Sequence, residues 1–284
     1  MGENKRNRSQ GWRHAKLDGH ANEHKVAATI KTNKSLLDEL GSLQIGKSWS
    51  GEPTVLDIGQ SHVRTIFDDQ SLAKPDLVLD WGDEGVSRIS IKKSISGQAW
   101  LVTLDRFLRV IAHYRPTIVT SNLKLGLSLF IGGDVNLAPY IDQFKRGLNY
   151  SEIHSPRVFK QEAHQKRLSA QTIEAIAPVA WKEVLDFFQN NIDLITELTL
   201  AAGVAKSKDD WAEYVLYTLN TGTYHLFSIT EILKKIAESE GEYVEVGPRN
   251  GGTTLLLPFG FLQMHKNSVQ FHHKLESIQN LYLP

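Results

Sequence analysis

Apolar and polar residues alternate along two neighbouring segments that a polar turn connects. The first segment, residues 76–81, places its large apolar side chains on one face: Leu77, Leu79 and Trp81. The second segment, residues 86–95, does the same with Ile89, Ile91 and Ile95. Period-two alternation is typical of half-buried strands, and the connecting Gly-Asp-Glu-Gly has turn composition. This pattern predicts a β-hairpin with one apolar face and one polar face.

The register of this hairpin decides which polar side chains meet. A four-residue loop would pair Asp76 with Ile91 and would separate the two polar faces. Because a one-residue slip inverts every side chain, burying all the large apolar residues together requires a loop of three or five residues, or a bulge. We expect this register to pair Asp76 with Lys92 and Val78 with Ser90. A carboxylate and an ammonium would then face each other across adjacent strands.

Pro75-Asp76, thirteen spacer residues and Ser90-Ile91-Lys92 resemble the motif of the PD-(D/E)xK nuclease superfamily, which includes many type II restriction endonucleases. The resemblance covers roughly residues 15–115. The sequence departs from the family motif at Ser90, where the family normally has Asp or Glu. Some restriction enzymes of this fold carry serine there and take their second carboxylate from elsewhere.

The resemblance implies a restriction-endonuclease-like α/β core, with a central mixed sheet flanked by helices. It also implies Mg²⁺-dependent hydrolysis of double-stranded DNA in which Asp76 ligates the metal ion. Lys92 would position or deprotonate the attacking water and stabilise negative charge on the phosphate. Ser90 would hold a metal-bound water.

Two acidic residues are candidates for the missing second carboxylate. Residues 20–31 are predicted to form a helix whose inward stripe contains Glu23, and several nucleases of the superfamily complete the metal site with an acidic residue on such a helix. Asp105 follows Lys92 by thirteen residues, about where one restriction subgroup places its second acid. We expect Glu23 to be the second metal ligand, with Asp105 as the alternative.

A different chemistry is suggested by His20, Glu23 and His24, which fit the HxxEH pattern of inverted zinc peptidases. Two histidines on one helical turn could ligate zinc. Those enzymes also need a glutamate downstream, and residues 95–105 contain none. Zinc peptidase therefore remains a minor alternative.

The remaining pattern predicts the order helix, strands, helix, strand. Helices are expected at 34–43 and 98–115, one or two strands within 51–67, and short strands at 117–120 and 125–131. Residues 150–240 are predicted to be mostly helical. A β-hairpin is expected at the C-terminus, with strands at 243–246 and 253–257.

Three regions follow from these elements: a basic arm at 1–14, a nuclease core at 15–150, and a helical and hairpin region at 151–284 for DNA recognition and dimerisation. The last two regions are alternatively woven into one domain. Arg reads guanine in the major groove, and Asn or Gln reads adenine. Four side chains of the third region are therefore candidates for base contacts: Arg249, Asn250, Gln263 and Gln270.

Composition limits the chemistry, the partners and the location that the protein can have. The formal net charge of the 284 residues is zero, whereas DNA-binding proteins are usually basic, so local clusters of charge must carry any DNA contact. The absence of cysteine excludes thiolate chemistry and fits a cytoplasmic protein. We expect no signal peptide, no membrane partner and a homodimer. A structure-specific or repair nuclease of the same core, and a non-catalytic DNA-binding protein, remain alternatives.

Overall fold

The computed structural model describes most of the chain. The described residues are 23–30, 32–46, 53–58, 61–132, 167–219, 222–239, 241, 243–263 and 268–283. Two compact units are formed: Met1–Ile95 with Leu200–Glu231, and Ser96–Thr199 with Ile232–Pro284. The chain therefore leaves the first unit after Ile95, returns to it at Leu200 and leaves it again after Glu231.

Both units contain helices and strands. The strands are β1 (Thr54–Ile58), β2 (His62–Arg64), β3 (Gln70–Leu72), β4 (Leu77–Asp80), β5 (Val86–Lys92), β6 (Ser96–Thr103), β7 (Tyr214–Thr218), β8 (Tyr224–Ser228), β9 (Glu245–Val246), β10 (Thr254–Leu257), β11 (Gly260–Gln263) and β12 (Ser268–Lys274). The helices are α1 (residues 23–30), α2 (Lys34–Ile45), α3 (Leu104–Tyr114), α4 (Ser121–Ile131), α5 (Ala170–Ile176), α6 (Pro178–Asn190), α7 (Ile192–Glu197), α8 (Ile229–Glu238) and α9 (Leu275–Asn280).

A five-stranded mixed sheet forms the centre of the first unit, in the order β1-β4-β5-β7-β8. Neighbouring strands are antiparallel except β5 and β7, which are parallel. A parallel pair needs a long crossover connection, and here the chain passes through the second unit between β5 and β7. The predicted mixed sheet with flanking helices is confirmed.

Helices α1 and α2 pack with one face of this sheet to form the core of the first unit. That core contains Val26, Ala27, Ile30, Leu36, Leu37, Leu40, Leu77, Leu79, Trp81, Ile89, Tyr214, Leu216 and Leu226. Helix α2 begins at Asn33, whose side chain accepts a hydrogen bond from Leu36 N at 3.1 Å, as expected of an N-cap. Leu77, Leu79 and Ile89 of this core were predicted by the alternation to face inward, whereas Ile95, predicted with them, is exposed.

A buried polar network ties α2 to two strands. Trp81 Nε1 donates to Ser87 Oγ at 2.8 Å. The hydroxyls of Ser87 and Tyr214 both donate to Gln44 Oε1, at 2.8 and 3.1 Å. The buried hydroxyl of Ser87 is therefore satisfied both as donor and as acceptor.

An antiparallel sheet in the order β6-β12-β11-β10-β9 organises the second unit. Its inner face carries an aromatic cluster, in which Trp100 stacks on Phe271 at 5.8 Å and Phe107 and Phe188 approach Phe271 edgewise or at a tilt. Aromatic pairs at these separations stabilise a core beyond the area that they bury. The predicted C-terminal hairpin is present as β9 and β10 within this larger sheet.

Three predicted elements are wrong. The helix expected at 98–115 begins only at Leu104, because residues 96–103 form β6, in which Trp100 and Val102 are buried and Leu101 is exposed. Residues 117–120 form no strand. Residues 125–131 belong to helix α4, where every residue from Gly126 to Ile131 is buried, so no amphipathic period is visible in the sequence.

Strands β7 and β8 were missed within the stretch predicted to be mostly helical. All five residues of β7 are buried, and a strand covered on both faces shows a continuous apolar run instead of alternation. The predicted arm at 1–14 and the boundary near residue 150 lie outside the described residues. None of the described helices has the length and apolar character needed to cross a membrane.

Candidate active site

The hairpin of β4 and β5 has a five-residue connection, residues 81–85. Trp81 N donates to Gly85 O at 2.8 Å, and Asp80 Oδ1 accepts from Gly82 N at 2.9 Å. Gly82 and Gly85 have φ of +67° and +103°, backbone conformations that L side chains rarely adopt. These two glycines therefore fix the length of the turn and with it the register of the strands.

That register places Asp76 opposite Ser90. Leu77 pairs with Ile89 and Val78 with Arg88, and Asp76 N donates to Ile89 O at 2.8 Å. The expected pairing of Asp76 with Lys92 is wrong by two residues, because the connection has five residues where that pairing needs three. The polar faces still coincide, because a shift of two residues preserves the side of the sheet to which each residue points.

A chain of hydrogen bonds joins the three motif residues on this polar face. Ser90 Oγ donates to Asp76 Oδ2 at 3.1 Å, and Lys92 Nζ donates to Ser90 Oγ at 2.7 Å. Asp76 Oδ2 also accepts from Ile91 N at 2.7 Å. Ser90 is 1% exposed, whereas Asp76 and Lys92 are half-buried.

Lys74 belongs to the same site, and sequence reasoning missed it. Burial and, to a smaller extent, the positive charge of Lys92 lower its pKa to about 7, although the carboxylate of Asp76 opposes both effects. Its side chain remains half-buried. A signal was present, because the residue before a proline is extended, and residues two apart in an extended segment point to the same side. Lys74 and Asp76 flank Pro75 in this way.

The carboxylate of Asp76 fits a hard divalent cation. Its Oδ2 accepts the hydrogen bonds from Ser90 Oγ and Ile91 N. Its Oδ1 therefore has no donor among the residues that the structure describes. Mg²⁺ is commonly held by one or two carboxylates together with water and substrate phosphate. Oδ1 of Asp76 is therefore the atom that would hold such a cation.

The second acid is not identified by the geometry. Glu23 is half-buried at the start of the described part of α1, in the same unit as Asp76. Asp105 lies in the first turn of α3, in the second unit, where a carboxylate is favoured by the helix dipole. The described residues contain no group of three His, Asp or Glu side chains arranged to bind a metal ion. The role of Glu23 stays a prediction.

Only part of the zinc-peptidase pattern lies within the residues that the structure describes. His20 lies outside the described residues, and His24 is exposed on α1. Val26, Ala27 and Ile30 are the residues that α1 buries in the core. The described part of the helix therefore shows no zinc site formed by the predicted ligands.

The predicted base-reading residues all belong to the antiparallel sheet of the second unit. Arg249 is exposed in the turn between β9 and β10, and Asn250 follows it in that turn with a side chain outside the described residues. Gln263 and Gln270 are directly paired on β11 and β12, and Gln270 Nε2 donates to Gln98 Oε1 at 3.0 Å. Thr254, which follows the turn, pairs with Gln263. Arg249 and the glutamine pair therefore lie at the same end of this sheet, and their contact with DNA stays a prediction.

Residues 74–92 thus form one site with one carboxylate, one hydroxyl and two lysines. Such a set can bind a divalent cation and a phosphate ester together. Comparison of the whole chain with protein-family models and with curated proteins finds no match.

Proposed function

We propose that this protein is a Mg²⁺-dependent endonuclease that cleaves double-stranded DNA at specific sequences, in the manner of type II restriction enzymes. The observation that carries the proposal is the hydrogen-bonded series Asp76, Ser90 and Lys92 on one face of adjacent strands. In the PD-(D/E)xK superfamily, which the motif resembles, these positions carry the metal ligand, the second acid and the lysine.

The strand order of the first unit supports the same proposal. Strands β1, β4 and β5 form an antiparallel series, and β7 joins β5 in parallel after a long excursion of the chain. This agrees with the restriction-endonuclease-like core that the resemblance implies. The motif lies on β4 and β5, so the central strand of the sheet carries Ser90 and Lys92.

The proposed reaction is hydrolysis of a phosphodiester bond. Water loses a proton as its oxygen forms a bond to phosphorus, the bond from phosphorus to the leaving oxygen breaks, and the leaving oxygen takes up a proton. A bound Mg²⁺ would lower the pKa of the attacking water and would neutralise negative charge on the phosphate. The resemblance implies that the product carries a 5′-phosphate.

The protein's own residues have separate tasks in this reaction. Asp76 would hold the metal ion. Lys92 donates to Ser90 and keeps further N–H groups for a phosphate oxygen, so its ammonium group stabilises the negative charge that develops there. Ser90 fixes the positions of both charged groups, because its hydroxyl is bonded to each of them. Ser90 can also hold a metal-bound water.

The first experiment is incubation of the purified protein with plasmid and phage DNA, in Mg²⁺ and in EDTA. We expect discrete fragments only in Mg²⁺. An Asp76→Asn variant should not cleave, whereas its matched control, Asp80→Asn, should cleave normally, because Asp80 lies on the same strand face and only caps the turn at Gly82. Equal activity of the two variants would show that the assigned site is wrong.

Negative results would also be informative. If the wild-type protein cleaves branched DNA but not plasmid DNA, it is a structure-specific nuclease of the same core. If it cleaves neither substrate, the nuclease proposal fails. A palindromic cleavage site would require two copies related by a twofold axis, and mass measurement in solution would detect the proposed dimer.

A further inference from the structure

The antiparallel sheet of the second unit has an outer face on which side chains of different strands are aligned in two rows. The first row crosses all five strands and contains Glu245, Leu256, Phe261, His272 and Gln98. The second row contains Thr254, Gln263, Gln270 and Leu101. Alternate residues of these strands, among them Trp100 and Phe271, point to the core on the other side. The two rows therefore define one continuous surface, the outer face.

The outer face is partly apolar although it is open to solvent. Leu101 and Leu256 are 42% and 36% exposed. Between them, Phe261 stacks on His272 with ring centroids 4.6 Å apart and ring planes at 6°. Exposed apolar and aromatic side chains with few charges are typical of the core of a protein interface.

The polar side chains of the outer face can also contact a protein surface. Gln270 Nε2 donates to Gln98 Oε1 at 3.0 Å. Gln98 Nε2 and Gln270 Oε1 have no partner among the residues that the structure describes, so this pair offers both a donor and an acceptor. Amide side chains of this kind can bind the same side chains of another copy.

The charge of the outer face favours protein over DNA. Its two rows contain one carboxylate, that of Glu245 on the edge strand β9, and no Lys or Arg. At the end of β12, Lys274 is paired with Glu276 at 2.6 Å. A surface that binds DNA needs Lys or Arg side chains at the phosphates. An uncharged surface, by contrast, can meet a second copy of itself without repulsion between like charges.

The area of the outer face is that of a small dimer interface. Strands about 4.8 Å apart and up to eight residues long give a face of roughly 20 Å by 20 Å. Two such faces in contact would bury about 1,000 Å² of accessible surface, which is the lower limit for a specific interface. The expected dimer is therefore weak, with a Kd on the order of 10 μM without DNA.

We propose that two copies of this chain associate through the outer face, sheet against sheet. This inference rests on the proposed function, because cleavage of both strands at a palindromic site requires two copies related by a twofold axis. A twofold interface uses the same patch on both copies, which an uncharged patch with exposed leucines and amides satisfies. Gln263 and Gln270 then face the second copy, and Arg249 remains the candidate for base contact.

The test measures association by sedimentation equilibrium, in EDTA and without DNA, below and above the expected Kd. Leu101→Glu and Leu101→Lys each place a charge on the outer face. Val179→Glu and Val179→Lys are matched controls, because Val179 is 64% exposed on α6 of the same unit. We expect both Leu101 variants to raise the Kd at least about 10-fold, since a charge of either sign would lose its hydration in the interface, and both controls to associate as the wild type does.

A second position guards against a local effect at Leu101. Leu256→Lys, on β10, should weaken association to a similar degree. Unchanged circular dichroism spectra would show that the variants are folded. A wild-type protein that stays monomeric at the highest concentration, or Leu101 variants that associate as the wild type does, would overturn the proposal.

Binding of a labelled duplex, followed by fluorescence anisotropy, tests DNA as the occupant of the outer face. If Leu101→Lys tightens binding and Leu101→Glu weakens it while association is unchanged, the face binds DNA and the dimer interface is wrong. The failures of the two proposals also look different. Association that depends on Leu101 in a protein that cleaves no DNA would leave the interface and reject the nuclease. Mg²⁺-dependent cleavage by a protein whose association ignores Leu101 would do the reverse.

Discussion

Ser90 donates a hydrogen bond to Asp76 across two antiparallel strands, over 3.1 Å. The resemblance to the nuclease superfamily leads one to expect a carboxylate at position 90, and two carboxylates at this separation would repel each other without a cation between them. The hydroxyl of Ser90 instead donates a hydrogen bond to Asp76 and accepts one from Lys92. Serine therefore holds Asp76 and Lys92 together without a cation between them.

We predict that Ser90→Ala reduces cleavage about 10-fold to 100-fold, the usual effect of removing a group that orients a metal ligand. Asp76 would keep its bond from Ile91 N, but Lys92 would lose its acceptor. Single-turnover cleavage of plasmid DNA measures the effect.

The matched control for that variant is Ser87→Ala, because Ser87 is a buried serine of the same strand on the opposite face. Its hydroxyl joins Trp81 to Gln44, so its loss should lower the free energy of unfolding by about 1 kcal/mol while cleavage is retained. If both serine variants lost activity in proportion to their loss of stability, Ser90 would have only a structural role.

Ser90→Asp would create the acid that the motif lacks. Position 90 is 1% exposed, so the new carboxylate would be desolvated beside Asp76 and would destabilise the protein without metal. Bound Mg²⁺ would neutralise the pair. We predict a lower Tm than that of the wild type in EDTA and a larger increase in Tm with Mg²⁺, measured by thermal unfolding across Mg²⁺ concentrations. A Tm response to Mg²⁺ equal to that of the wild type would argue against a cation site at Asp76.

Sequence pattern predicted the faces of this site but not its register or its neighbours. Alternation determines the side to which Asp76 and Ser90 point, whereas the register depends on whether the turn has three or five residues, and Gly82-Asp83-Glu84-Gly85 is compatible with more than one length. Strand β7 was missed because a fully buried strand has no alternation. The spacing of Lys74 from Asp76 was visible in the sequence, but its packing on Gly203, far away in the sequence, was not.

The identity of the second acid can be tested by comparing two isosteric variants, Glu23→Gln and Asp105→Asn. Glu23 belongs to the same unit as Asp76, whereas Asp105 occupies a helix start in the other unit. We predict that Glu23→Gln raises the Mg²⁺ concentration needed for half-maximal cleavage about 10-fold or more, and that Asp105→Asn does not. The reverse result would assign the second acid to Asp105.

The stability of the first unit should depend on the protonation of Glu213. Burial raises the pKa of Glu213 above its ordinary value of 4.5, and the backbone N–H and the charge of Arg88 only partly oppose this effect. The folded protein then binds more protons than the unfolded chain between pH 4.5 and the raised pKa, so stability falls as the pH rises through that window.

A Glu213→Gln variant cannot lose that proton, while its amide oxygen can still accept from Arg88 N. We predict that the unfolding free energy of the variant improves relative to the wild type as the pH rises through the window. Urea unfolding of both proteins on each side of the window measures the difference. A constant difference across this range would show that burial does not perturb Glu213.

Gly126 permits the close approach of helices α4 and α6 in the second unit. A Cβ at this position would lie 2.5 Å from Ala180 O and 2.6 Å from Val184 Cγ2, and a backbone carbonyl cannot move aside as a flexible side chain can. Alanine is the better helix former, which would favour the substitution by about 1 kcal/mol on an exposed helix. Here overpacking should prevail, and we predict that Gly126→Ala lowers the free energy of unfolding by about 1–3 kcal/mol. Lys124→Ala, at an exposed position of the same helix, should be nearly neutral in the same urea titration, and a stabilised Gly126→Ala variant would show that the two helices can separate at little cost.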